Sequence, residues 1–353
     1  MAKGKILIGM SGGVDSSVAA YLMLQAGYDC VGATMTLCDG LPGVAEQDPG
    51  DARAVAERLQ IPFCQMDACD AFRQNVIDPF VQAYEGGLTP NPCIQCNRHL
   101  KFGVMLDRAL EMGCDGVATG HYAVIRQDPD TGRYLLYKAA DEQKDQSYFL
   151  AHLTQDQLRR THLPLGAYTK EEIRSIAQAQ GFLNAHRKDS QDICFIPDGD
   201  YVRFLREYTG KAYPAGNYCD LSGNVVGHHE GAVAYTIGQR KGLGIALGEP
   251  VYVCRKDMER NTVTVGPNDA LFHTTLVADD WNFIPFPTLT APMEVEAKIR
   301  YRHIPQKATV YPLADGSCKV VFQNSQRAIT PGQAVVLYQD RLVIGSGTIR
   351  AVL

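Results

Sequence analysis

What the sequence lacks already narrows its class. No stretch approaches the ~18 consecutive apolar residues that a membrane span requires, and the opening MAKGKILIGM enters a strand pattern without a secretory leader's long apolar region. A cytoplasmic location with no membrane attachment is the expectation. Neither sign of charge dominates: 34 Lys and Arg against 39 Asp and Glu leave a formal net charge of -5, so RNA contact must come from local basic patches rather than a global field. No GKS or GKT follows a glycine-rich loop, which excludes the Walker arrangement that delivers a γ-phosphoryl group, and the absence of GxGxxG argues against a dinucleotide. Internal repeats and low-complexity segments are missing as well. Cysteine is plentiful, but eleven residues in irregular scatter are an odd number and fit reduced, chemically employed thiols better than a disulfide framework.

With 353 residues, 45% apolar and 21% charged, the chain can fill two or three globular domains. KILIGM reads as a buried strand, and Ser16 to Gln25 as a helix stopped at Gly27 by a left-handed cap. Apolar runs recur at Cys30 to Thr36, Ile61 to Asp67 and Asp115 to Thr119. Helical patterns at Asp51 to Leu59, Ala71 to Tyr84 and Phe102 to Met112 separate them, which predicts an α/β domain with a mainly parallel sheet covered on both faces. YAVIR and RYLLYK around DPDTG predict a hairpin, and Lys170 to Gly181 a further helix. From about residue 200 short alternating segments (AVAYTIG, PVYVCR, NTVTVG, MEVEAKIRYR, KATVYPL, KVVFQN, AVVLYQD) predict two β modules, the last a barrel. The expected division is 1–200, a nucleotide-binding and catalytic domain; 201–275, a small β-rich linking domain; and 276–353, a C-terminal β-barrel.

SGGVDSS at Ser11 to Ser17 stands between strand and helix, where a helix amino end favours a phosphate. Gly12 and Gly13 let the backbone approach an anion; Ser11, Ser16 and Ser17 offer hydroxyls; Asp15 could hold Mg²⁺ or orient a serine. Farther on, TPNPCIQCNRHLKF sets Cys93 and Cys96 in a CxxC just before a predicted helix, where Arg98 and Lys101 would lower a thiol pKa. KDSQDICFI adds Cys194, which between Ile193 and Phe195 also fits a buried strand position. Sulfur relay and metal binding both remain open for these thiols, including zinc on Cys93, Cys96 and His99. In KIRYR, period 2 would put Lys298, Arg300 and Arg302 on one face of a strand.

SGGVDSS resembles the PP-loop of the ATP pyrophosphatases, which cleave ATP between the α and β phosphates and adenylate a carbonyl oxygen. Together with TPNP, CN and KF, ATGHY, KDQSYFL, KDS before ICFI, and YTIGQRKGLG, the chain resembles the tRNA-specific 2-thiouridylase family over roughly residues 5 to 340. The resemblance implies ATP and Mg²⁺ at Gly9, Met10, Ser11, Gly12, Gly13, Val14, Asp15, Ser16, Met35 and Gly120. It implies Cys96 as nucleophile and Cys194 as carrier of a persulfide sulfur received from a donor protein. It also implies tRNA contacts at Asn91, Pro92, Cys93, His121, Lys144, Asp145, Gln146, Arg300, Tyr301 and Gln333, around the wobble uridine of the Lys, Glu and Gln tRNAs. Many members carry NPD where this chain has Asn91-Pro92-Cys93, so a carboxylate gives way to a thiol. Three thiolates at Cys93, Cys96 and Cys194 could then hold an iron–sulfur cluster. The competing scheme alternates Cys96 and Cys194 between persulfide and disulfide. Rival readings are a PP-loop enzyme that amidates a small molecule, and a non-enzymatic metal-containing RNA-binding protein.

Overall fold

The computed structural model describes residues 2–37, 41, 48–185 and 193–353. A five-stranded sheet forms from β1 (Lys5–Gly9), β2 (Asp29–Thr36), β3 (Phe63–Asp67), β4 (Gly116–Ala118) and, beyond a hairpin of β5 (Ala123–Gln127) and β6 (Tyr134–Lys138), β7 (Thr161–His162). Its order is β3-β2-β1-β4-β7 and every pairing is parallel. Ile6, Leu7 and Ile8 of β1 are at most 1% exposed, as expected for a central strand buried on both faces. The helix Val14–Gln25 supplies Val18, Ala19 and Ala20 to one of those faces and ends with Gly27 at φ +87°, the left-handed cap anticipated.

A central unit follows: β8 (Gly216–Cys219), β9 (Val225–His229), β10 (Tyr252–Asp257) and β11 (Thr262–Gly266), in the order β10-β11-β8-β9. The last six strands are β12 (Phe272–Phe283), β13 (Met293–Lys298), β14 (Gln306–Pro312), β15 (Cys318–Arg327), β16 (Ala334–Gln339) and β17 (Leu342–Val352). They close into an antiparallel barrel because the long β12 pairs with both β15 and β17. Leu276, Val310, Val320, Val335 and Leu337 fill it. The parallel domain, small β unit and C-terminal barrel are those the pattern predicts.

Local departures have physical causes. AVAYTIG is not a strand: Ala232–Ala234 form a single tight helical turn before an irregular loop, with Gly238 at φ +86°. Tyr201–Thr209 is a helix where β structure was anticipated; its Phe204 and Leu205 are buried, while Asp200 caps it through Arg203 N at 2.9 Å. The predicted hairpin exists, but β6 leaves the parallel domain's sheet and pairs with β17 of the barrel, Tyr137 opposite Leu342.

Candidate active site

The nucleotide loop leaves β1 under constraint. Met10 N donates to Ala33 O at 2.7 Å and Thr34 Oγ1 donates to Met10 O at 2.6 Å, fixing the exit of the chain. Gly12 then turns at φ +73° and Gly13 is the residue before the helix. The Ser16 and Ser17 hydroxyls both donate to Gly13 O at 3.0 Å, and Ser11 N donates to Ser16 Oγ at 3.2 Å. A helix amino end presents N–H groups without intrahelical partners, so the curled loop is a seat for an anion. Gly9 and Met10 end β1, Met35 lies near the end of β2 and Gly120 just follows β4. All therefore sit at the carboxyl edge of the sheet, where open α/β sheets bind ligands. A Cβ on Gly120 would lie 2.7 Å from Asp15 C and Ser16 N, so only glycine allows this approach to the loop.

Of the two roles open to Asp15, holding Mg²⁺ or orienting a serine, its hydrogen bonds show no serine. Its two oxygens accept Lys170 Nζ at 2.7 and 2.8 Å, and Oδ1 also accepts the Tyr122 hydroxyl at 2.7 Å. Asn184 Nδ2 donates to Gly12 O and Ser17 Oγ, each at 2.9 Å. Sequence reasoning missed Lys170, Tyr122 and Asn184. The one available signal was a lysine directly after the Thr169 helix cap, which gives no hint of burial.

Cys93 and Cys96 are not in a loop before the helix but inside it. The helical rod begins at Pro92, whose fixed φ suits a first turn. It runs as Pro92–Gln95, then a π-helical stretch Cys96–Val104, then Met105–Glu111. Wide turns of this kind recur at functional sites. Cys96 is 9% exposed, and burial pushes its thiol up to about 12, with Lys101 as the opposing charge. Cys93 keeps solvent contact but is ringed by protein, and that mass raises its thiol too. The lowered pKa expected from Arg98 and Lys101 is thus overturned. Desolvation outweighs Lys101, and Arg98 points elsewhere, pairing with Asp280 of β12 at 2.8 Å.

Cys194 is in an exposed turn, not a strand. The residues after it anchor the turn: Phe195, 1% exposed, meets the rings of Phe72, Phe80 and Phe204 at 5.6, 5.2 and 5.2 Å. Charge on Cys194 acts on both Cys93 and Cys96, so the three thiols share one neighbourhood. The KDS of the same motif lies outside the described residues. Among the described residues no three His, Cys, Asp or Glu side chains are gathered to hold a metal, so neither the three-cysteine set nor Cys93, Cys96 and His99 is assembled as ligands. His121 follows Gly120, half-buried, its Nδ1 2.8 Å from Thr119 Oγ1 and its ring 5.8 Å from Phe102. Burial, then the charge of Lys101, hold its imidazole well below the ordinary 6.5.

The residues expected to touch RNA divide. Asn91 and Pro92 open the cysteine helix. Asp145 is buried and accepts Ala139 N at 2.9 Å and Ser147 Oγ at 2.8 Å, while Gln146 Oε1 accepts Tyr122 N at 2.9 Å. Gln333 donates to Thr89 O at 2.9 Å and Pro90 O at 3.3 Å, so it ties the barrel to the segment before the cysteines. These three side chains therefore spend polar groups on the protein itself. Lys144 bonds through its backbone N to Asp141 Oδ1 at 3.3 Å. β13 ends at Lys298, so KIRYR is a strand followed by a bend and the one-face expectation fails. Arg300 is exposed in that bend, donating to Arg327 O at 3.1 Å, and Tyr301 lies on Phe149 at 4.4 Å. Lys298 reaches over Tyr148 and Tyr301 at 5.8 and 5.6 Å, leaving basic groups among aromatic rings.

Three family models match along the chain: a tRNA methyl transferase HUP domain over residues 4–198, a tRNA methyl transferase PRC-barrel domain over 202–267, and an aminomethyltransferase β-barrel domain over 273–349. The tRNA-specific 2-thiouridylase MnmA 1 of Clostridium botulinum (strain Loch Maree) is 51% identical over 98% of this chain and 99% of its own. The tRNA-specific 2-thiouridylase MnmA of Clostridium perfringens is 50% identical over 100% of both. Among solved structures, the U34-tRNA thiolase NcsA from Methanococcus maripaludis, with its [4Fe-4S] cluster, aligns at TM-score 0.36 and 18% identity over 59% of this chain and 67% of its own. With about half of all residues shared end to end with these bacterial enzymes, the chain belongs to the tRNA-specific 2-thiouridylase family.

Proposed function

We propose that this protein, a tRNA sulfurtransferase by family, binds ATP with Mg²⁺ at Ser11–Ser17 and receives the extruded wobble uridine near Asn91 and His121. Extrusion is required because a stacked base cannot offer its C2 to a nucleophile. The 2-oxygen attacks the α-phosphorus, the α–β bridging bond breaks and pyrophosphate leaves. A persulfide on Cys194, charged by a donor protein, adds its outer sulfur to C2, and the C2–O bond breaks with loss of AMP. The Cys96 thiolate then attacks the inner sulfur, breaking the S–S bond to free 2-thiouridine and leave a Cys96–Cys194 disulfide, which an external dithiol reduces. His121, held neutral by burial, is suited to hydrogen-bond the uracil without adding charge.

The observation that carries this reading is the meeting of Cys93 and Cys96 with Cys194, from a distant segment, while His121 follows the glycine that touches the nucleotide loop. No step is routed through an iron–sulfur cluster, since the described thiols do not form a three-ligand set. The test is thiolation of tRNA by purified enzyme with ATP and a persulfide donor, alongside Cys96→Ser and Cys194→Ser. Enzyme that binds all three reactants yet forms no thiolated uridine refutes the proposal. Pyrophosphate release must also depend on tRNA, which separates this reaction from amidation of a small molecule.

A further inference from the structure

The loop that is to accept a polyphosphate carries its own carboxylate. SGGVDSS contains one acidic residue, Asp15, and it occupies the second position of the helix Val14–Gln25. A helix amino end presents about half a positive charge. A bare carboxylate one residue inside it would more than cancel that, and the seat would repel ATP. We propose that Lys170 is a positioning residue of the nucleotide loop: its ammonium neutralises Asp15 and keeps the seat attractive to phosphate. This rests on the ATP reading given above.

The geometry suits that role. Lys170 is 3% exposed and the Asp15 side chain 29%, so the ammonium lies on the protein side and the carboxylate between it and the outside. Lys170 Nζ bonds both carboxylate oxygens, and Tyr122, itself 2% exposed, fixes Oδ1. A buried ammonium is kept only beside such a partner. Its placement is rigid: Lys170 opens the helix Lys170–Ala179, whose Thr169 and Glu172 form a reciprocal cap. Lys170 N donates to Asp141 Oδ2 at 3.1 Å, so the same residue also ties down the 141–146 segment. The pair therefore belongs to the loop's electrostatics as well as to its shape.

The experiment measures ATP binding by equilibrium dialysis, with tRNA binding and the melting temperature, for wild type, Lys170→Met, Lys170→Arg and the double variant Asp15→Asn/Lys170→Met. Lys170→Met is expected to weaken ATP about tenfold or more while tRNA affinity holds, a factor that corresponds to about 1.4 kcal/mol. Lys170→Arg keeps the charge and retains ATP. The double variant, with no bare charge in the loop and none buried, binds ATP more tightly than Lys170→Met does, even if the single variant folds poorly. Wild-type affinity in Lys170→Met, or a double variant as weak as the single one, overturns the proposal. Failure of the wild type to bind ATP defeats instead the nucleotide reading on which it rests.

Discussion

Replacing Gly120 by alanine tests the nucleotide seat with one added carbon. The new Cβ would stand 2.7 Å from Asp15 C and Ser16 N, about 0.7 Å inside the 3.4 Å at which ordinary contact begins. Both obstacles are backbone atoms, so no side-chain rotation relieves them. Gly120 is not among the glycines with positive φ, so the perturbation is steric alone. Overpacking of this kind costs about 1–3 kcal/mol, a melting shift of about 2–6 °C in a chain of this size. Separating the loop from the end of β4 by several tenths of an ångström would also misalign the N–H groups that meet phosphate. A hydrogen bond to a charged group contributes about 1.5–3 kcal/mol, so ATP affinity should fall by about one to two orders of magnitude. The assay is ATP binding at equilibrium, with alkylation of the exposed Cys93 as a control on the thiol region. Unchanged melting together with ATP affinity within about twofold of wild type would refute the argument, because 1.4 kcal/mol already amounts to tenfold.

Cys96, pushed up to about 12 by burial, should alkylate slowly at neutral pH in a Cys93→Ala/Cys194→Ala background, with a rate still climbing above pH 10; a midpoint below its ordinary 9.0 would contradict the burial argument. The same shift means that the folded state favours the neutral thiol, so Cys96 contributes stability in full below pH 9 and loses it as pH rises toward 12. Phe195→Ala removes a ring 1% exposed among three others and should cost about 3–5 kcal/mol, while slowing persulfide transfer to Cys194; unchanged melting by calorimetry would show the turn is not anchored there. Arg98→Ala, which breaks the part-exposed pair with Asp280, should change stability by less than about 1 kcal/mol and leave the Cys96 alkylation profile in place. Protein purified without oxygen should be colourless, iron-free and active with a persulfide donor. Stoichiometric iron and labile sulfide, lost in Cys93→Ala, would replace the cysteine relay with a cluster.

The parallel domain and barrel were legible because strand runs such as KILIGM and KATVYPL carry hydrophobic periodicity, and the nucleotide loop because glycine and serine at a strand–helix junction have few other uses. Charge was harder to read. Arg98 and Lys101 look equivalent beside CxxC, yet one pairs with a barrel aspartate that no local pattern could announce. Whether a cation or burial governs a thiol is settled by packing from several elements, which spacing does not encode. Asp145 and Gln333 make the same point, since their bonding partners come from turns and segments whose positions only the tertiary fold decides. Lys170 was invisible because a lysine at a helix start is ordinarily solvated.

The hairpin that continues the barrel sheet has a consequence for synthesis. β6 waits for β17, which is made long after it and which also seals the barrel against β12. Until then the hairpin carries an open strand edge, a known template for aberrant pairing. Closing it joins residues more than two hundred positions apart, the kind of non-local contact that slows folding. A nascent chain stalled just before Leu342 should therefore be the species most prone to aggregate and most dependent on chaperones.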